Sequence, residues 1–259
     1  MKISIKTVIA GAITLSAVVC QAAEEWVRFS EDGSRVIIEA EGITEFKGSS
    51  SAVFQVDGKN QRLGTVGQKL LQTGNERVGS TPFGDAVVSS VTFGNEDYQY
   101  TLQLKRLEDL KAFTLQGFFH NRSDEDVNLV AFDLLDTNKG PGGSFVVENS
   151  ADWLVTPLME DSPALPLSEM QKNLNEVAML YRADGGGFLI GPVGPAEAHI
   201  SVEVRNELVK GVVQMDSVLV RAGETRRSEE MILSFESAKT STDIWTRWVA
   251  ETHGVRRNK

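Results

Sequence analysis

Histidine, serine, cysteine and carboxylate side chains are where this chain could carry acid–base, nucleophilic or metal chemistry, so their spacing is the first thing to read. There are three histidines, His120, His199 and His253. A Ser–His centre needs one of them beside a nucleophile and an orienting group. None stands in such a motif, and no Gly-x-Ser-x-Gly turn occurs. His120 and His199 sit in alternating, strand-like stretches, where a hydrogen-bonded structural histidine is the expectation. No histidine pair has ligand spacing, and Cys20 is the only cysteine, so a thiolate zinc site and a disulfide framework are both excluded. Asp133 and Asp136, three apart, could join Asp152 in an oxygen cluster of calcium type. With 36 acidic residues in the chain, chance proximity explains that spacing as well, and no metal or cofactor is expected.

Asp184-Gly185-Gly186-Gly187 precedes an apolar strand, lacks the Lys-Ser/Thr of a phosphate loop, and reads as a hairpin. Asn121-Arg122-Ser123 is a glycan-acceptor sequon. Sugar rings have apolar C–H faces that stack on aromatic side chains, while their hydroxyls seek polar partners. Trp153, flanked by Asp152 in a loop-rich segment, is the candidate carbohydrate contact; the competing reading makes it a core anchor. Trp26, Trp245 and Trp248 read as packing residues.

The dominant hydrophobic period is two. Tyr98, Tyr100, Leu102 and Leu104 alternate with polar residues. Phe113, Leu115 and Phe119 oppose Thr114, Gln116 and His120; Ile200, Val202 and Val204, and then Met231, Leu233 and Phe235, repeat the pattern. Such alternation marks half-buried antiparallel strands. Asp32-Gly33, Asp57-Gly58, Gly94-Asn95 and Asp184-Gly185 supply the positive φ angles of tight hairpins. About fifteen strands between Trp26 and Phe235 are expected on this pattern. Strand–helix alternation is absent, which excludes a Rossmann sheet or a complete (β/α)₈ barrel and leaves a large two-sheet antiparallel sandwich. Residues 137–172, rich in glycine and proline, read as long loops around one or two strands. From Thr240 to His253 the period becomes helical, with Ile244, Trp245, Trp248, Val249 and Thr252 on one face. Thr240 is the expected cap, Asp243 its capping-box partner and Gly254 the stop. The tryptophan face of this helix must dock, either on its own sandwich or on a partner.

Residues 1–22 have the form of a secretory signal: Lys2 and Lys6, an apolar run, then small residues up to Ala22. The run is too short to span a bilayer, and bulky Val19 disfavours lipidation of Cys20, so export of a soluble protein is the expectation. Removing Lys2 and Lys6 takes the 26 basic residues to 24 and the formal charge from −10 to −12. That acid excess repels phosphate and disfavours a nucleic-acid partner. With 41% hydrophobic residues, the chain has enough apolar surface for a sizeable core. The expected organisation is a signal at 1–22, a sandwich over 23–237, and a linker-like helix with a basic tail over 238–259.

The order of features in the C-terminal half resembles a known family. After Asp152-Trp153 come Asp184-Gly185-Gly186-Gly187-Phe188-Leu189-Ile190-Gly191 and His199-Ile200-Ser201-Val202-Glu203-Val204. Arg221-Ala222-Gly223-Glu224, Met231-Ile232-Leu233, Trp245, Trp248-Val249-Ala250 and His253-Gly254-Val255-Arg256 follow. This layout resembles the N-terminal β-supersandwich of α-galactosidase-like enzymes of glycoside hydrolase family 36. The resemblance implies an all-β, galactose-mutarotase-like supersandwich with one C-terminal helix that leads to a catalytic (β/α)₈ barrel. The family's nucleophile and acid/base are aspartates on that barrel; no residue here matches its Lys-x-Asp motif, so no catalytic residue is carried over. The chain stops at Lys259, where the resemblance would place the barrel. Retaining hydrolysis needs two carboxylates about 5–5.5 Å apart, and nothing in the sequence singles out such a pair. The implied function is a non-catalytic module that supports a barrel or contacts carbohydrate, with Trp245 and Trp248 as docking residues. Activity together with a separately encoded barrel, or a structural exported protein docking a partner through its tryptophan helix, are the alternatives; oligomeric state stays open.

Overall fold

A computed structural model describes residues 25–157, 163–170, 174–194 and 198–252. The signal at 1–22 with Cys20, and the tail from His253 through Gly254 to Lys259, lie outside the described residues. The strands are β1 (Val27–Phe29), β2 (Val36–Ile38), β3 (Ile43–Val56), β4 (Lys59–Gly64), β5 (Leu70–Thr81), β6 (Gly84–Gly94), β7 (Tyr98–Leu107), β8 (Ala112–Asn121), β9 (Val127–Asp136) and β10 (Ser144–Val147). They continue as β11 (Trp153–Pro157), β12 (Leu165–Pro166), β13 (Leu174–Asn175), β14 (Ala178–Arg182), β15 (Gly187–Pro192), β16 (His199–Arg205), β17 (Leu208–Val220), β18 (Thr225–Arg227) and β19 (Met231–Ser234), before helix α1 (Ala238–Thr252). The surplus over about fifteen expected strands consists of two- and three-residue pieces such as β12, β13 and β18, too short to carry a period.

The strands form two antiparallel sheets. Nine strands run β1-β2-β3-β9-β17-β16-β13, with β4 and β10 also pairing β3; ten run β12-β11-β14-β15-β19-β8-β7-β6-β5, with β18 on β8. Their facing surfaces make the main core, in which Phe46, Phe54, Tyr100, Leu102, Phe113, Phe119, Phe132 and Phe188 interdigitate. The alternation read in β7, β8 and β16 is the pattern observed: the apolar set of each turns inward. Asp57 and Gly58 take φ 50° and 70° between paired Val56 and Lys59, a two-residue hairpin of the expected kind. The hairpin at Asn206-Glu207, joining paired Arg205 and Leu208, uses Glu207 at φ 60° and has no glycine to announce it.

Helix α1 lies on the outer face of the ten-stranded sheet. Ile244 and Trp248 pack there with Ala112, Val177, Leu189 and Ile232. Strand β19 is therefore buried on both sides, Met231 and Leu233 in the main core and Ile232 under the helix. Burying each such side chain contributes roughly 1.5–3 kcal/mol. The helix begins earlier than its sequence suggests. Ser237, rather than Thr240, is the cap: its Oγ accepts the Thr240 N–H at 3.3 Å. Thr240 lies inside the first turn, so the hydroxyl that reaches an orphan amide is the one three residues before it.

The described residues of 137–172 hold three strands, β10 to β12, and two 3₁₀ turns, more order than the expected loops. Each strand is an edge or near-edge piece of at most five residues, so its periodicity is short. No helix among the described residues is long and apolar enough to cross a membrane.

Candidate functional site

Strand register defines the side chains on the outer face of the ten-stranded sheet beyond the helix. Thr92, Thr101 and Phe118 lie side by side across β6, β7 and β8; Ser90, Gln103 and Gln116 form the next row, and Val88, Lys105 and Thr114 the third. The rows between them, such as Phe93, Tyr100 and Phe119, face the core. One half of the outer face is thus apolar and covered by α1, while the other is a platform of amides and hydroxyls.

Hydrogen bonds lock this platform. The Thr92 and Thr101 hydroxyls meet at 2.8 Å, Thr101 Oγ1 meets His120 Nε2 at 3.2 Å, and His120 Nδ1 meets Thr225 Oγ1 at 3.0 Å. Burial, helped by the Arg122 charge, pushes the His120 pKa below its ordinary value and favours the neutral ring. With both nitrogens engaged by hydroxyls, His120 holds the strands' side chains in place. Gln116 Nε2 donates to the Ser228 carbonyl at 2.9 Å, and Lys105 Nζ pairs with Glu230 Oε1 at 2.6 Å. Both charged groups are 19% exposed.

A cleft of about 1030 Å³ stands over one end of the platform, with Lys105, Gln116 and Phe118 among its lining. Its lining also includes Met215, Asp216 and Val218 from a bulge in β17. There the pairing to β9 skips from Gln214 to Val218, and Asp216 and Ser217 take φ 48° and 57°. Left-handed backbone at two successive non-glycine residues costs on the order of 1–3 kcal/mol each, and such strain concentrates where side chains are aimed at a function. The part-exposed ring of Phe118 beside amides, hydroxyls and a fixed ion pair suits a ligand with apolar faces and many hydroxyls.

Residues singled out in the sequence fall elsewhere. Trp153 is 0% exposed in the main core, its indole N–H donating to the Glu148 carbonyl at 2.9 Å, so it has no free ring face for a sugar. The reason is register: Trp153 opens β11, whose alternate positions Trp153 and Val155 point inward. Asp152 is exposed and accepts from Asn149 Nδ2. Trp248, 3% exposed, is turned onto the chain's own sheet, and Trp245 donates to the Pro192 carbonyl at 2.7 Å. The helix therefore docks on its own sandwich, and the buried face of Trp248 is not presented to a partner. Asp133 and Asp136 are on β9, where Lys210 Nζ reaches them at 3.5 and 3.3 Å and Arg62 also binds Asp133. The chain's own cations occupy the place of a calcium ion, and no metal-binding cluster occurs among the described residues. Asn121 is 0% exposed and donates to the Glu125 and Val220 carbonyls, so the sequon is a structural turn. His199 is exposed at the start of β16. Asp184 to Gly187 form the expected hairpin, with the Asp184 carboxylate accepting the Gly186 N–H at 3.1 Å. The aromatic residue that sequence reading passed over is Phe118; its alternation with Gln116 and His120 already put it on the polar face.

No protein-family model matches the chain, and no curated protein matches it in sequence. Solved structures do. An α-galactosidase from Lactobacillus brevis superposes with TM-score 0.53 at 14% identity, over 78% of this chain and 31% of its own. The α-N-acetylgalactosaminidase NagBb from Bifidobacterium bifidum gives TM-score 0.53 at 12% identity, over 88% of this chain and 37% of its own. A galactose mutarotase related enzyme from Lactobacillus acidophilus gives TM-score 0.43 at 11% identity, over 82% and 94%. The chain spans about a third of the two glycosidases, and the likeness is one of fold: the two-sheet supersandwich expected from the family resemblance is the fold observed.

Proposed function

We propose that this chain is a non-catalytic module of an α-galactosidase-like glycoside hydrolase, the N-terminal sandwich that supports a catalytic barrel and contacts carbohydrate. The observation that carries the reading is the coverage: 78% of this chain matches only 31% of an α-galactosidase. A part of that size leaves most of such an enzyme for other domains. The polar platform around Phe118 supplies the carbohydrate contact, through ring stacking and hydroxyl hydrogen bonds to Gln103, Gln116 and the Lys105–Glu230 pair. Residues 1–22 direct export to the periplasm or the extracellular space. Hydrolysis of α-galactosides belongs to the complex of this module with a barrel, whether fused or separately encoded.

Two assays on the purified chain test this together. Calorimetric titration with methyl α-D-galactoside and raffinose is expected to give weak, saturable binding, and p-nitrophenyl α-D-galactoside is expected to survive incubation. Steady turnover by the isolated chain would overturn the non-catalytic reading; absence of any saccharide binding would overturn the carbohydrate contact.

A further inference from the structure

A second cleft, about 840 Å³, opens at one end of the sandwich. Four connections meet there: the β2–β3 turn with Glu41, the β7–β8 turn with Asp109, the β14–β15 hairpin with Asp184, and the junction of β19 with α1. Part-exposed Trp26 and Phe235 are its aromatic lining, with ring centroids 5.6 Å apart at 66°. Phe113 backs Trp26 at 5.7 Å, so the indole is held by the core on one side. Trp153 and Trp245 commit their indole N–H groups to carbonyls; that of Trp26 has no partner among the described residues.

Arg182 is a fixed donor in the same cleft. Its side chain is only 14% exposed; it pairs with Asp184 at 2.8 Å and stacks over Trp153 at 5.3 Å. Guanidinium N–H groups donate to sugar oxygens, and carboxylates accept from sugar hydroxyls in charge-assisted bonds. The rings offer an apolar face of the right kind for a pyranose. Phosphorylated ligands are disfavoured by Glu41, Asp109, Asp184 and Glu236 at the rim.

We propose that this end cleft is a saccharide-binding site, separate from the platform on the sheet, that takes the terminal ring of an uncharged glycan with Trp26 as the stacking surface. It takes its ligand class from the carbohydrate reading above and differs from it in place and residues.

Titration of the full chain with methyl α-D-galactoside, followed by tryptophan fluorescence and calorimetry, tests it. Trp26→Ala is expected to abolish the fluorescence change and weaken this site about tenfold, as loss of one stacked ring would do. Because Trp26 also touches the core, Glu41→Ala and Asp109→Ala, both at the rim, are measured beside it and are expected to weaken the site about threefold with an unchanged melting temperature. Phe118→Ala should leave the fluorescence change in place. Saccharide binding lost in Phe118→Ala but unaltered in all three rim and floor variants would overturn the end cleft and leave the platform standing. No binding in the unmodified chain would overturn both.

Discussion

The guanidinium of Arg182 lies 5.3 Å above the indole of Trp153 and closes that ring off from solvent. Trp153 is thereby a member of the core with a cationic lid, and Arg182 is what the surface presents. A cation over an indole contributes about 0.5–2 kcal/mol, with the larger values where water is excluded.

Trp153→Ala is accordingly a stability variant. Removing a fully buried tryptophan costs about 3–5 kcal/mol. The Glu148 carbonyl also loses its donor. Urea denaturation should show a lower midpoint at similar slope, and saccharide contact at the platform around Phe118, on the outer face of the sheet, should be unaltered.

The helix makes two graded predictions. Ser237→Ala removes the cap and should cost about 1 kcal/mol. Trp248→Ala empties the apolar layer that Ile232 and Leu189 share with the helix, and should cost about 3–5 kcal/mol. Thermal melts followed by circular dichroism check both, and Thr240→Ala should cost less than Ser237→Ala.

Stability should fall as the solution is acidified, in two windows. The His120 pKa is lowered in the folded chain, so the unfolded chain binds a proton first. Its contribution is intact above about pH 6.5 and is lost as pH falls through the lower folded value. Asp32, held to about 2 by the Ser30 and Ser34 hydroxyls and the Ser34 amide, contributes above its ordinary value of 3.8 and loses that contribution as pH drops toward 2. Denaturation midpoints across pH should show the upper step disappear in His120→Gln and persist in Asp32→Asn. Asp32 is largely solvated, so solvent screening reduces its step.

Sequence periodicity revealed the sandwich wherever one face of a strand meets water. Strands β7, β8 and β16 alternate because their inner positions are apolar and their outer ones are not. Strand β19 broke the rule for a physical reason, since α1 buries its second face. Of the two readings of Trp153 the core anchor is the one observed; the sequence left both open because β11 offers only Trp153 and Val155 as inward positions, too few to carry a period. The bulge at Met215-Asp216-Ser217 had no glycine to mark its left-handed backbone, so the wall of the sheet cleft was invisible. Phe118 was legible, by parity with Gln116 and His120. Its accessibility depended on where α1 stops covering the sheet, which no local pattern encodes.

The account turns on carbohydrate meeting the outer face of the ten-stranded sheet. Amide NMR of the labelled chain, titrated with raffinose, tests that contact residue by residue. Saturable shifts are predicted at Gln103, Gln116, Phe118 and Thr225, with none at Ser201 and Glu203 on the opposite sheet. Saturable shifts confined to the nine-stranded sheet, or no shifts at the platform at saturating sugar, would contradict it.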